Sequence, residues 1–233
     1  VTAGFLPFKP IQLQGYLRQA AAVGIEIFIF LSPNHELIDS CRGMRPVFRE
    51  KLLCLATLPD GRAGIAPHDL AIKGKFELLP FILTFSLPVV WLDLDIFLVK
   101  NPIPELQQLA HGQNVDFVVS EHTFESCINN GIFYVRPGDR VLVWFLRFLQ
   151  WMHDYPMGHD QNGMDAHLNH SVKEPYVTIR DDPQPGETPQ LNFTFMDVDR
   201  KYPMCEGWKQ DATSLDDLTL IHLCMCLDKD NHL

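Results

Sequence analysis

Two carboxylates, Asp93 and Asp95, stand one residue apart directly after the apolar run at residues 88–92. Such a run has the composition of a buried strand, and ligands of open α/β sheets bind beyond the carboxyl ends of their strands. Strand alternation puts both side chains on one side of the chain, where two like charges repel each other. Oxygen ligands in this arrangement suit a hard divalent cation, Mg²⁺ or Mn²⁺. We therefore expect a metal site here, and the alternative for such a pair is a solvated turn.

The elements that must position these carboxylates are indicated by the pattern of apolar residues. A helix over residues 12–23, ended by Gly24, precedes a strand over residues 25–31, and together they predict the first half of a βαβ unit. A helix over residues 73–85 leads into the strand over 88–92. The same reasoning predicts strands at 116–120, 131–135 and 218–223, helices at 140–153 and 160–168, a loop at 181–189, and no assignable element at 40–72.

Composition and charge limit the class of protein. The 233 residues are 46% hydrophobic and 21% charged, which is typical of a globular protein with a substantial core, and the absence of a linker or repeat indicates one domain over residues 1–233. The formal net charge of −10 argues against nucleic acid as a partner, whereas a divalent cation can still attract a phosphate-bearing small molecule. No stretch approaches the ~20 apolar residues of a membrane span. The abrupt start at Val1 leaves a truncated domain, and a membrane anchor upstream of residue 1, as open alternatives.

Cysteines and glycosylation sequons bear on the cellular compartment. The six cysteines form an even number without the spacing of a zinc site, and the sequons Asn169-His170-Ser171 and Asn192-Phe193-Thr194 are acceptors for N-glycosylation. Both features favour a secretory lumen. We therefore expect the Golgi lumen, with the cytoplasm as the alternative. The pairing of the cysteines stays open.

A resemblance to a known family extends the local pattern. The segment VWLDLDIFLVKNP at residues 90–102 resembles the DxD region of GT-A glycosyltransferases, and it is closest to the nucleotide-diphospho-sugar transferase family. That family includes plant cell-wall xylosyl- and arabinosyltransferases, with glycogenin-like enzymes as more distant relatives. Further segments resemble the family in the same order, namely TAGF at 2–5, NNGIFYVRP at 129–137, HDQ at 159–161 and LIH at 220–222. The resemblance implies an α/β, Rossmann-like GT-A domain with a mostly parallel mixed central sheet flanked by helices.

The same resemblance implies a metal-dependent glycosyltransferase. Its expected reaction moves a sugar from a nucleotide-diphosphate donor, a UDP-sugar, to a glycan or protein acceptor with retention of configuration. Asp93, Asp95 and His222 are implied to bind Mn²⁺ or Mg²⁺, which assists departure of the nucleotide diphosphate. Besides the two aspartates, the implied donor-binding residues are Thr2, Ala3 and Lys75.

Three candidate catalytic residues are implied on the sugar side of the site. Asn130 would hydrogen-bond the transferred sugar or its acceptor, and Asp160 and Gln161 would lie near the reactive carbon. Structural alternatives exist, because an asparagine beside a glycine is typical of a turn and Asp160 is a natural helix N-cap. For His222 the alternative is a core histidine at a strand end, and for Lys75 it is a solvated helix side chain.

The sequence departs from the family after His222. The relatives carry a glycine and a lysine that contact the phosphates, whereas LCMC follows here at residues 223–226 and Lys229 is only an approximate match. This departure leaves open a weakened donor site, a C-terminus truncated before its closing loop, or a transferase fold that binds without catalysis. The alternative from another enzyme class is a haloacid-dehalogenase-like phosphatase, whose first motif is also DxD but carries Thr or Val where Phe97 stands.

Overall fold

Helices and strands are interspersed along the described part of the chain. The computed structural model describes residues 2–3, 9–56, 67–121, 128–156, 158–170, 186–197, 201–203 and 215–222, with residues 2–3, 67–73 and 215 described for the backbone alone. The helices are α1 (Pro10–Ala22), α2 (His35–Gly43), α3 (Pro67–Leu83), α4 (Ile103–Gln113), α5 (Asp139–Asp154) and α6 (Asp160–His167), with short 3-10 turns at Arg45–Phe48 and Leu215–Asp217. The strands are β1 (Thr2–Ala3), β2 (Phe28–Ser32), β3 (Leu52–Ala56), β4 (Val89–Leu92), β5 (Ile96–Leu98), β6 (Phe117–Glu121), β7 (Ile128–Val135), β8 (Phe193–Phe195) and β9 (Leu220–His222).

The described strands form two sheets and one separate pair. β1, β2 and β3 are parallel neighbours in that order, and β4, β7, β6 and β8 form the second sheet. β7 runs antiparallel to both β4 and β6, whereas β8 runs parallel to β6. Because β4, β6 and β8 share one direction, their carboxyl ends lie at the same edge as Ile128, the first residue of β7. β9 runs antiparallel to β5, with Ile96 opposite His222.

Two hydrophobic cores cover the two faces of the sheet that contains β4. Alternation along β4 sends Val90 and Leu92 into the core formed with α1, α2 and α4, and Val89 and Trp91 into the core formed with α3, α5 and α6. The second core is rich in buried aromatic side chains from α5, namely Trp144, Phe145, Phe148 and Trp151. Burial of apolar surface on both faces holds β4 between two packed layers. The residue that follows β4 therefore emerges at a rigid edge.

The predicted α/β class, with helices around a mixed sheet, is confirmed. Three of the described pairings are parallel and three are antiparallel, so parallel pairs are less dominant than we expected. The helix predicted over 12–23 is Pro10–Ala22, because proline is well tolerated in a first helical turn, where the backbone donor has no partner within the helix. The strand predicted over 25–31 begins at Phe28, after Gly24 at φ +85° has turned the chain out of α1.

Six of the described helices and strands were not predicted: β1, α2, β3, α4, β5 and β8. α4 begins at Ile103 between Pro102 and Pro104, and proline is compatible with the first turn of a helix. β5 and β8 have three residues each, which is too short to produce a periodic pattern. Of the loop predicted over 181–189, residues 186–189 have no regular structure and the rest lies outside the described residues.

A disulfide joins α2 to β3. Cys41 and Cys54 are bonded, with their Cα atoms 6.0 Å apart, which supplies one pairing that the sequence left open. The remaining cysteines lie outside the described residues. Within the part of the chain that the structure describes, no helix combines the length and the apolar character needed to cross a bilayer.

Candidate active site

Asp93, Asp95 and His222 come together beyond the carboxyl end of β4. Asp93 is the first residue after β4, Asp95 lies in the turn that leads to β5, and His222 ends β9. One ligand atom from each side chain lies within 4.8 Å of the other two, and His222 Nε2 is 3.3 Å from Asp95 Oδ1. We expected strand alternation to bring the carboxylates together, but a turn does so instead, in which the main-chain N–H of Ile96 donates to the carbonyl oxygen of Asp93 at 3.3 Å.

The donor set of these three residues fits a divalent cation. Two carboxylates and one imidazole nitrogen are ligands that Mn²⁺ accepts, and the carboxylate oxygens also suit Mg²⁺. His222 is buried, whereas both aspartates are partly exposed. A ligand can therefore approach the carboxylates from the solvent side while the histidine closes the site from the protein side.

Burial and charge act differently on the two carboxyl groups. Removal from water raises the pKa of Asp93, Lys75 lowers it and Asp95 raises it again, and the net shift is upward. Burial also raises the pKa of Asp95, but the hydrogen bond and the charge of His222 outweigh burial, and the net shift is downward. This is the pattern of two carboxylates that share one site, and a bound cation would favour the ionised form of both.

Lys75 lies inside the protein, between the metal-ligand candidates and the sugar-side candidates. It is 3% exposed, so the alternative of a solvated helix side chain is wrong. Its Nζ donates to the main-chain oxygen of Asn130 and, at 3.2 Å, to Asn130 Oδ1, and it stands 3.8 Å from Asp93 Oδ1. Nζ also lies within 5.5 Å of the centroids of three aromatic rings, those of Phe76, Trp91 and Phe133. Lys75 is thus an internal positive charge that connects the two groups of residues.

Asn130, Asp160 and Gln161 form the second group. Asn130 is buried inside β7 rather than in a turn, and its Nδ2 donates to Asp160 Oδ2 at 2.6 Å. Its main-chain N–H donates to Gln161 Oε1 at 3.4 Å. Asp160 is the first residue of α6 and His159 is the N-cap, so the N-cap alternative for Asp160 is wrong. The carboxamide of Asn130 is thereby engaged at both ends, with its oxygen toward Lys75 and its nitrogen toward Asp160.

β1 carries the two residues that are expected beside the nucleotide base. Thr2 and Ala3 pair with Phe30 and Leu31 of β2 in parallel register. Their side chains lie outside the described residues, as does the segment after His222 that includes Lys229. A contact between Thr2 or Ala3 and a nucleotide therefore stays a prediction.

Two residues of the site were missed by sequence reasoning. Trp91 donates through Nε1 to Asp93 Oδ1 at 2.5 Å, and Gly131 leaves the space that the ring of His222 occupies. The position of Trp91 was a usable signal, because residues two apart in an extended chain share a face. The role of Gly131 depends on how β9 packs against β7, and no local sequence pattern indicates this packing.

The sequence matches a known family, and the fold is similar to solved structures of glycosyltransferases. A family model described as nucleotide-diphospho-sugar transferase matches residues 68–233. The solved structure of the glycosyltransferase GlyE from Streptococcus pneumoniae TIGR4 is similar with a TM-score of 0.58 at 11% identity, over 99% of this chain and 54% of that chain. Mouse xyloside xylosyltransferase 1 in its apo form is similar with a TM-score of 0.52 at 11% identity, over 100% of this chain and 98% of that chain. At such identity these likenesses show the fold alone. No curated protein matches the sequence.

Proposed function

The chain belongs to the nucleotide-diphospho-sugar transferase family and is a glycosyltransferase, and we propose that it uses a divalent cation, Mn²⁺ or Mg²⁺, with a UDP-sugar as donor. The observation that carries this proposal is the convergence of Asp93, Asp95 and His222, whose ligand atoms lie within 4.8 Å of one another. The family assignment also argues against the phosphatase alternative, which rested on the DxD pattern alone.

The residues around the convergence suit the donor diphosphate. Asp93 and Asp95 would hold the cation through carboxylate oxygens, and His222 would add a nitrogen from the buried side. When bound, such a cation supplies positive charge against the charge that grows on the departing nucleotide diphosphate. Lys75 adds a fixed positive charge behind Asp93, at 3.8 Å, and limits the repulsion between the two carboxylates.

The sugar side of the proposed site is built on Asp160 and Gln161. The hydrogen bonds from Asn130 hold both side chains at the start of α6, where they adjoin the residues of the metal side through Lys75. We propose that they contact the transferred sugar and that the reaction retains the anomeric configuration. In this scheme the leaving-group oxygen accepts the proton of the acceptor hydroxyl, so that no separate general base is required. The proposed acceptor is a glycan or a protein.

The proposed compartment is the lumen of the secretory pathway, and in particular the Golgi. The Cys41–Cys54 disulfide supports this proposal, since disulfides persist in oxidising compartments. The side chains of Asn169 and Asn192, which begin the two sequons, are both exposed and therefore accessible to glycosylation. Treatment of the secreted protein with an N-glycosidase should lower its mass if either asparagine carries a glycan, and an unchanged mass would argue against the glycoprotein assignment.

Binding and turnover can be tested on one set of variants. We expect UDP with Mn²⁺ to raise the melting temperature of the protein, because a ligand that binds only the folded state stabilises it. UDP-sugar cleavage should require Mn²⁺ or Mg²⁺ and should be lost in Asp95→Asn. Asp39→Asn is the matched control, since Asp39 is an exposed aspartate that pairs with Arg42 on α2. Unchanged cleavage after chelation of metal, or in Asp95→Asn, would refute the metal-dependent mechanism.

A further inference from the structure

Trp91 in β4 is buried, and its indole N–H finds its hydrogen-bond partner in a carboxylate of the candidate metal site. The side chain is 1% exposed, and its ring stacks on Phe133 with the centroids 6.4 Å apart. The indole Nε1 nevertheless lies 2.5 Å from Asp93 Oδ1. An indole nitrogen can only donate and a carboxylate can accept, so the direction of this hydrogen bond is fixed. A phenylalanine would fill the same apolar layer without it.

The contact falls on one of the two carboxylate oxygens of Asp93. Oδ1 accepts from Trp91 and also faces Lys75 Nζ at 3.8 Å. Among the described residues, no protein donor forms a hydrogen bond with the other oxygen, Oδ2. Two positive or donor groups on one oxygen fix the rotation of the carboxylate about its own axis. Oδ2 is thereby the oxygen that remains for a ligand outside the described protein donors.

We propose that Trp91 is a positioning residue, whose indole N–H holds Asp93 through Oδ1 and leaves Oδ2 as the oxygen offered to the divalent cation. This inference rests on the proposed metal-dependent function. Groups that orient a metal ligand without touching the metal commonly change metal affinity or activity by about 10–100-fold when they are removed. Trp91 acts in this way through Asp93 and contributes no ligand itself.

Trp91→Phe tests the proposal, because phenylalanine keeps a buried ring and removes the N–H. The matched control is Trp144→Phe, since Trp144 is equally buried in the same core and its Nε1 donates to the carbonyl oxygen of His167 at 2.8 Å. The dissociation constant for Mn²⁺ is measured from the electron paramagnetic resonance signal of free Mn²⁺, without any sugar transfer. We expect Trp91→Phe to weaken Mn²⁺ binding about tenfold or more, and Trp144→Phe to leave it within about twofold. Equal effects of the two substitutions would overturn the proposal.

A second variant removes the donor without removing any volume. Replacement of Trp91 by β-(3-benzothienyl)alanine exchanges the N–H for sulfur in a ring of nearly the same shape, so it remains informative if Trp91→Phe does not fold. We expect the same weakening of Mn²⁺ binding and a higher metal concentration for half-maximal activity, with kcat at saturating metal changed less. Wild-type affinity in this variant would overturn the role of the N–H. Failure of the proposed function is recognised separately. In that case the wild-type protein would bind no Mn²⁺, or its affinity for Mn²⁺ would equal that of the Asp95→Asn variant.

Discussion

Gly131 of β7 lies directly against the imidazole of His222 at the end of β9. A Cβ atom at position 131 would stand 2.3 Å from His222 Cε1 and 2.8 Å from Nε2, closer than side chains pack. The same ring places Nε2 3.3 Å from Asp95 Oδ1. Glycine at this position is therefore what allows two strands from distant parts of the sequence to close on the candidate metal site.

The substitution Gly131→Ala should damage the site. The added methyl group forces either the histidine ring or β7 to move, so we expect Mn²⁺ affinity and kcat/KM each to fall about tenfold or more, through displacement of a metal ligand. Overpacking of this kind costs about 1–3 kcal/mol of unfolding free energy. Isothermal calorimetry with Mn²⁺ and donor-cleavage kinetics provide the measurements.

Gly15→Ala is the control for this substitution. Gly15 is exposed on α1 and a Cβ there would meet nothing within 4 Å. Alanine in a helix should raise the unfolding free energy by about 0.5–1 kcal/mol and leave metal affinity unchanged. Wild-type Mn²⁺ affinity and activity in Gly131→Ala would show that the clearance beside His222 has no functional role.

The Cys41–Cys54 disulfide should contribute to stability but not to chemistry. It closes a loop with a sequence separation of 13 between α2 and β3. A cross-link across a loop of this length lowers the entropy of the unfolded chain and thereby raises its free energy by about 3 kcal/mol. Cys41→Ala/Cys54→Ala should lower the unfolding free energy, measured in urea, by about 2–4 kcal/mol. kcat should stay near that of wild type at a temperature where both proteins are folded. Equal stability of oxidised wild type and the double variant would contradict this prediction.

The position of the two carboxylates of the candidate metal site was predictable because its signal is local. An apolar run followed by Asp93 and Asp95 indicates a strand end with two carboxylates, whatever lies elsewhere in the chain. His222 was predicted only through the family resemblance, because 126 residues separate it from its partner Ile96 in the register of β5 and β9. The sequence of a short strand does not indicate which distant strand it pairs with.

The interior of the site was less accessible to sequence reasoning. The pattern of α3 placed Lys75 on a helix, but its burial depends on the packing of Trp91 and Phe133 from two other elements against it. Asn130 beside a glycine favoured a turn, yet pairing of β7 with both β4 and β6 keeps it extended. Tertiary contacts therefore determine both the burial of Lys75 and the extended backbone of Asn130, in opposition to the local sequence preference.

His167 should make stability depend on pH above the range in which carboxylates titrate. Burial lowers the pKa of its ring, although a hydrogen bond to the carbonyl oxygen of Gly163 opposes the shift, and the ring packs against Trp144, Phe148 and Trp151. The folded protein therefore binds a proton at His167 less readily than the unfolded chain does. Its contribution to stability is complete above the unfolded value of 6.5 and is lost as the pH falls below it.

His167→Gln tests this dependence. A glutamine amide can still donate to the carbonyl oxygen of Gly163 but does not titrate. We expect the variant to be less stable than wild type at pH 7.5, because ring contacts are lost, and the two unfolding free energies to converge toward pH 5.5. Urea unfolding at intervals across this range gives the comparison. Parallel curves for the two proteins would exclude His167 as the titrating group.

Asn130 and Asp160 should act as one unit in the reaction. Asn130 Nδ2 donates to Asp160 Oδ2 at 2.6 Å while Asn130 Oδ1 accepts from Lys75, so the carboxamide fixes the carboxylate relative to an internal positive charge. Removal of either side chain breaks the hydrogen bond that joins them. We expect Asn130→Ala and Asp160→Ala each to lower kcat about 100-fold or more, by the loss of a positioned group at the reacting centre.

The double variant separates a shared role from two independent ones. Independent contributions multiply, whereas groups that act together are strongly non-additive. We expect Asn130→Ala/Asp160→Ala to lose no more than about tenfold beyond the worse single variant, which corresponds to a coupling free energy of about 1.4 kcal/mol or more. Gln161→Ala in an Asn130→Ala background serves as a second cycle with weaker expected coupling, because Gln161 Oε1 accepts from the main-chain N–H of Asn130, which the alanine substitution leaves in place. If the losses in kcat multiply for Asn130 and Asp160, the carboxamide contributes by a contact of its own, and direct hydrogen bonding of Asn130 to the sugar becomes the better account.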